Sequence, residues 1–149
     1  MRISEHFYDS EFRCRCGGCE YRAPHQHLLD GLEMLRSIVG GRPVNITSGG
    51  RCPRHNRDVG GAPLSQHLTA ILGIPTPPKA ADVWVVNCTP RQVFNAALLV
   101  PQFAGGGMGY YPFGGFVHVD VRDGQARWAQ VSRGGPMVAV PPGAYDEQA

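Results

Sequence analysis

What the chain lacks narrows it first. Its purely apolar stretches are only a few residues long, too short to cross a bilayer. It has no block of Lys or Arg and a formal net charge of only +2, which gives no support to nucleic-acid binding. The N-terminus, Met1-Arg2-Ile3-Ser4-Glu5-His6, lacks the apolar stretch of a secretory signal, so synthesis in a reducing, cytoplasmic compartment is expected. There is no internal repeat. Charged residues are scarce, 17% against 42% hydrophobic, a globular balance rather than a disordered one. At 149 residues the chain is long enough to fold without help from disulfides or metals.

What is there in abundance is glycine, 20 residues, and proline, 13, which predict short elements joined by many turns. Leu28, Leu32, Leu35 and Val39 recur at helical spacing and predict a helix over 24–39, with Pro24 at its first position and Gly40-Gly41 ending it. A short strand is expected at 44–47, then a long polar loop over 51–79, a strand over 81–86, and a helix over 90–100 capped by Thr89. Residues 116–121 and 126–131 look like an antiparallel hairpin turned by Asp123-Gly124. The predicted class is α+β, a small antiparallel sheet with two main helices packed on it. Residues 1–132 form the expected domain, with a cysteine-containing segment at 1–23, and 133–149 an arm or tail.

Three segments hold polar residues that packing does not explain: Ser65-Gln66-His67, Ala80-Ala81-Asp82 and Phe116-Val117-His118-Val119-Asp120. Two imidazoles and a carboxylate are a ligand set typical of catalytic zinc, with the fourth position left for water. Strand alternation turns Val117 and Val119 one way and His118 and Asp120 the other. Taken singly, each residue has a plainer reading: a hydrogen-bonded surface histidine, Asp82 capping a turn, Asp120 paired with Arg122 or Arg127.

Taken together, these segments resemble the zinc D-alanyl-D-alanine carboxypeptidase family, which includes phage endolysins and shares its fold with the hedgehog signalling domain. The likeness spans residues 4–131. It runs through Ser4-Glu5-His6-Phe7, Glu11-Phe12-Arg13-Cys14, Ile46-Thr47-Ser48-Gly49-Gly50-Arg51-Cys52-Pro53-Arg54-His55-Asn56, Ser65-Gln66-His67, Lys79-Ala80-Ala81-Asp82, Gly107-Met108-Gly109-Tyr110-Tyr111 and Gly115-Phe116-Val117-His118-Val119-Asp120-Val121-Arg122. The resemblance implies zinc on His67, Asp82 and His118, with Arg51 holding a substrate carboxylate or a developing oxyanion, a task suited to its fork of donors. Ser65 is placed either to bond substrate or to brace its own loop, and Tyr110 is a further candidate for the substrate cleft. The implied activity is cleavage of peptidoglycan stem peptides (a D-Ala-D-Ala carboxy- or endopeptidase, or an L-Ala-D-Glu enzyme). A phage lysin released to the cell wall, or a virion tail peptidase beside other virion proteins, would fit such a chain. The alternative is a catalytically silent zinc-binding or wall-binding module.

Two departures stand out. The spacing between His67 and Asp82 is longer than in the family pattern, which makes 70–79, with Ile71-Leu72-Gly73-Ile74-Pro75, an insertion loop. Relatives carry a Glu or His shortly before the last ligand, where this chain has Gly114, Gly115 and Phe116. Asp120 is therefore the candidate general base, or else a replacement for His118 as ligand or the partner that orients its ring. Five cysteines cannot all pair. Cys14, Cys16, Cys19 and Cys52 are read as a second, structural zinc site, with His25, His27 or His55 able to replace one thiolate, as disulfides tying the N-terminal segment to the Arg51 loop, or as free thiols. Cys88 reads as a small buried hydrophobe; Tyr110, Tyr111, Trp84 and Trp128 are candidates to line a substrate cleft, although tryptophans at such strand positions are more often core.

Overall fold

The apolar stripe of Leu28, Leu32 and Leu35 forms one face of a helix, α1, spanning Gln26–Ile38 in the computed structural model, which describes residues 1–140. The helix starts two residues later than Pro24 and the leucine spacing suggest, because His25 is the cap: its Nδ1 accepts from the His27 N–H. Gly40 and Gly41, both at positive φ, end it as expected. Gly31 is the one glycine inside α1, and a Cβ there would lie 2.7 Å from the Phe103 ring, so helix propensity yields to packing.

A strand, β1 (Val44–Ser48), leads to α2 (Pro53–Asp58), which the sequence reading took for loop. Its start is nevertheless written in the chain: Cys52 caps it, with Sγ accepting from the His55 N–H, and Pro53 fills the first turn. The insertion loop folds into a hairpin of β2 (Ala70–Ile71) and β3 (Ile74–Pro75). Next come β4 (Ala80–Val85) and α3 (Pro90–Ala97), capped by a reciprocal Thr89–Gln92 pair. The helix expected to run to residue 100 stops early, because Pro101 forces Val100 into extended geometry before a short helix, α4 (Pro101–Ala104).

Strands β5 (Gly107–Tyr111), β6 (Phe116–Asp120), β7 (Ala126–Gln130) and β8 (Met137–Val140) complete a six-stranded sheet in the order β1-β4-β6-β5-β7-β8. The fold is α+β, but the sheet is mixed, and the expected hairpin of 116–121 with 126–131 does not form. Both edges of β6 are taken, by β4 and β5, so β7 pairs parallel to β5 on its far side. Side chains fasten it there: Gln125 donates to the Ala104 carbonyl, and buried Arg127 donates to the carbonyls of Ala104 and Gly106. The start of the expected arm is strand β8, and residues 141–149 lie outside the described residues.

Alternation then divides the sheet. Ala81, Val83 and Val85 on β4, Met108 on β5, and Val117 and Val119 on β6 join α1, Phe94 and Phe103 in one buried core. The residues between them point to the opposite face.

Candidate metal centre

That opposite face carries a row set by register. Asp82 on β4 stands opposite His118 on β6, His118 opposite Gly109 on β5, and Gly109 opposite Trp128 on β7. Gly109 is the gap in the row: a Cβ there would fall 2.3 Å from Trp128 Nε1, so its absence lets the indole lie over β5 against the His118 ring, centroids 4.9 Å apart. Trp128 thus walls the cleft rather than filling the core. Trp84 is 43% exposed, so neither tryptophan is the core residue that was expected, while Cys88 packs against the core's margin.

His67 reaches the row from the loop after α2. The Ser65 hydroxyl accepts from the His67 N–H, and the His67 carbonyl accepts from the Arg51 N–H at 2.8 Å. His67 Nδ1–H donates to the Gly49 carbonyl at 2.7 Å, which fixes the tautomer and turns the Nε2 lone pair toward Asp82. That Nε2 is buried without a hydrogen bond and lies 3.3 Å from Asp82 Oδ1; His118 Nδ1 lies 3.1 Å from the same oxygen. The three donor atoms sit within 4.8 Å of one another. Ligands about 2.0–2.2 Å from a tetrahedral zinc stand roughly 3.3–3.6 Å apart, so an orphaned imidazole nitrogen, a second imidazole and a carboxylate here fit such an ion.

Asp120 lies behind this group. It is fully buried, and its carboxylate accepts from His118 Nε2–H at 2.7 Å, from the Gly107 N–H and from the Arg122 guanidinium. It does not line the cleft, so the geometry does not suit a base acting there and instead fits a partner orienting the His118 ring. Electrostatics follow the same chain of contacts. Burial alone would raise the Asp82 carboxyl, yet His118 and His67 outweigh it and hold that carboxyl below the usual carboxylate range. Burial would likewise raise Asp120, but His118 and Arg122 hold it down. Burial depresses His67, whereas Asp120 and Asp82 overcome burial at His118 and raise it.

The centre floors a cleft of about 560 Å³. Arg51 lines it with its Nη2 donating to Ser65 Oγ at 3.2 Å, so Ser65 braces both the arginine and its own loop. Arg51 Nε is buried without a partner, and among the described residues the side chain makes no carboxylate ion pair. The second cation of the cleft, Arg122, is spent on Asp120. Tyr110 is not in the cleft: strand alternation turns it toward the core, against Phe94. Its neighbour Tyr111 faces the site, and its hydroxyl accepts from Trp128 Nε1–H at 2.9 Å. Burial, foremost, raises the Tyr111 phenol above its ordinary value. Of the four aromatics that could line a cleft, Tyr111 and Trp128 do and Tyr110 and Trp84 do not; the signal that could have singled out the pair was the lone glycine in an aromatic strand.

The cysteines gather elsewhere. Cys14, Cys16, Cys19 and Cys52 bring their sulfurs within 4.8 Å of one another as free thiols, with no histidine in the group among the described residues. His25 and His27 instead lie against each other, ring centroids 4.9 Å apart, and His55 contributes only its backbone N–H to Cys52 Sγ.

A family model described as Peptidase M15 matches residues 5–120. No curated protein and no solved structure matches the chain.

Proposed function

The chain belongs to the peptidase M15 family, and on that premise we propose that it is a zinc metallopeptidase cleaving the stem peptides of peptidoglycan, with His67, Asp82 and His118 as the metal ligands. The observation that carries this reading is the meeting of His67 Nε2, Asp82 Oδ1 and His118 Nδ1 at the floor of an open cleft. Zinc bound by such a set lowers the pKa of a water to about 7 and polarises a carbonyl oxygen.

The chain's own groups divide the remaining work. The Gly49 carbonyl and the Asp120 carboxylate each hold the outer N–H of one imidazole, so both rings present a lone pair inward. Arg51, a cation without a carboxylate partner among the described residues, binds the free carboxylate of the peptide or the oxygen that gains charge as the scissile carbon becomes tetrahedral. Tyr111 accepts from Trp128, which leaves its own O–H, protonated at neutral pH as in any ordinary phenol, to donate to substrate. Trp128, Phe116 and Met137 supply apolar wall for the peptide.

The test is mass spectrometry of purified muropeptides with intact stems after incubation with zinc-loaded protein. The expected result is release of D-alanine or scission of the stem, abolished by chelator and restored by added zinc. Loaded protein that leaves cross-linked, pentapeptide and shorter stems all intact would overturn the peptidase reading and favour a catalytically silent module on a peptidase fold.

A further inference from the structure

Four of the five cysteines play no part in the peptidase reading, yet the fold brings them together from far apart in the chain. Three come from the segment after the 3-10 helix Asp9–Phe12, and the fourth is the cap of α2. We propose that Cys14, Cys16, Cys19 and Cys52 hold a second, structural zinc ion that ties the N-terminal segment to the turn carrying Arg51.

Distance is the first argument. Four thiolates about 2.3 Å from a tetrahedral zinc stand roughly 3.8 Å from one another. Cys52 Sγ and Cys16 Sγ are 3.9 Å apart, and all four sulfurs fall within 4.8 Å. A disulfide needs its sulfurs at about 2.05 Å and satisfies them only in pairs, whereas here each sulfur neighbours the other three. Backbone donors are the second argument. The Cys52 N–H points at Cys14 Sγ (3.3 Å), the Gly18 N–H at Cys16 Sγ (3.5 Å) and the His55 N–H at Cys52 Sγ (3.4 Å). Outer N–H groups of this kind stabilise the negative charge that metal-bound sulfur carries. Binding exchanges four thiol protons, released to solvent, for one divalent cation, and the resulting anionic centre is flanked along the chain by Arg13, Arg15, Arg51 and Arg54.

The third argument is what the cluster joins. Directly beside it the N-terminal segment runs beneath the Gly49–Arg51 turn with almost no clearance. The Gly50 N–H donates to the Phe12 carbonyl at 3.0 Å, and a Cβ on Gly49 would meet Phe12 Cα at 2.7 Å. The same turn supplies Gly49's carbonyl to His67 and Arg51 to the cleft. A metal one residue beyond Arg51 therefore braces the wall of the peptidase site without entering it.

The measurement is metal content and thiol accessibility of the full chain purified under reducing conditions, with cobalt(II) as a second probe. Two zinc ions per chain are expected in the native protein, and one each in the Cys16→Ser/Cys19→Ser double variant and in His118→Ala. Cobalt-loaded native protein should show an intense sulfur-to-metal charge-transfer band, kept by His118→Ala and lost by the double variant. Four thiols should resist maleimide until chelator is added, a readout that needs no variant to fold. The proposal is overturned if native protein shows no sulfur-to-cobalt band, or if non-reducing peptide mapping finds these cysteines paired. A charge-transfer band with no peptide cleavage would leave this site standing and sink the peptidase reading alone.

Discussion

His118 is held between two carboxylates, with Asp82 3.1 Å from Nδ1 and Asp120 2.7 Å from Nε2. One carboxylate shares the imidazole's cleft-facing side and the other fixes the ring from behind. Asp120→Asn keeps the shape but weakens the acceptor, and should cost about 10–100-fold in affinity for the zinc proposed on His67, Asp82 and His118, measured by competition with a zinc indicator. The same variant should change acid stability of the metal-free protein. The folded Asp120 carboxyl titrates below its ordinary value, so its stabilisation is present above an unfolded pKa of about 3.9 and is lost as pH falls through the lower folded value. Unfolding followed by circular dichroism should therefore show a shallower loss of stability below pH of about 4 in Asp120→Asn; an unchanged acid limb would contradict the assignment. Strand period alone put Asp120 on the His118 face and made it legible in the sequence. Ring-orienting partner and pairing with Arg122 were both among its readings, but the i, i+2 spacing could not choose between them and a general base, because it says nothing of which ring nitrogen the carboxylate meets. Tyr110 and Tyr111 fail the same way: alternation is legible, its phase is not.

At the scale of elements, the strands bearing the site were readable because Val-x-Val patterns face one core. The order of strands was not. Asp123-Gly124 is a good turn, but whether it closes a hairpin depends on which edge of β6 is free, and that is decided by β4 and β5 from distant parts of the chain. The early stop of α3 at Ala97, ahead of Pro101, was legible in principle, and so was the Cys52-Pro53 start of α2. The β2–β3 hairpin carries a local conflict: its turn puts both Leu72 (φ 51) and Gly73 (φ 75) in left-handed geometry, which suits glycine and asparagine but strains leucine by roughly 1 kcal/mol. Leu72 is 95% exposed and loses nothing by replacement. Leu72→Asn should raise stability by about 0.5–1 kcal/mol, seen as a higher urea midpoint at unchanged slope. A lowered midpoint would mean that the exposed leucine makes a contact the fold does not reveal.

For the whole molecule, one sheet separates two duties: α1, α3, α4 and the core on one face, the candidate ligands and the cleft on the other. Sequence resemblance to zinc peptidases, the Peptidase M15 match over residues 5–120 and the converging donor atoms all bear on that cleft. The measurement that tests the account most directly is zinc content alongside muropeptide cleavage for His67→Ala, Asp82→Ala and His118→Ala, each compared with native protein. Each variant is expected to lose one equivalent of zinc and at least about a thousand-fold in cleavage rate, since a metal supplies several kcal/mol of the barrier reduction. A variant that keeps native cleavage after losing any one of the three side chains would contradict it.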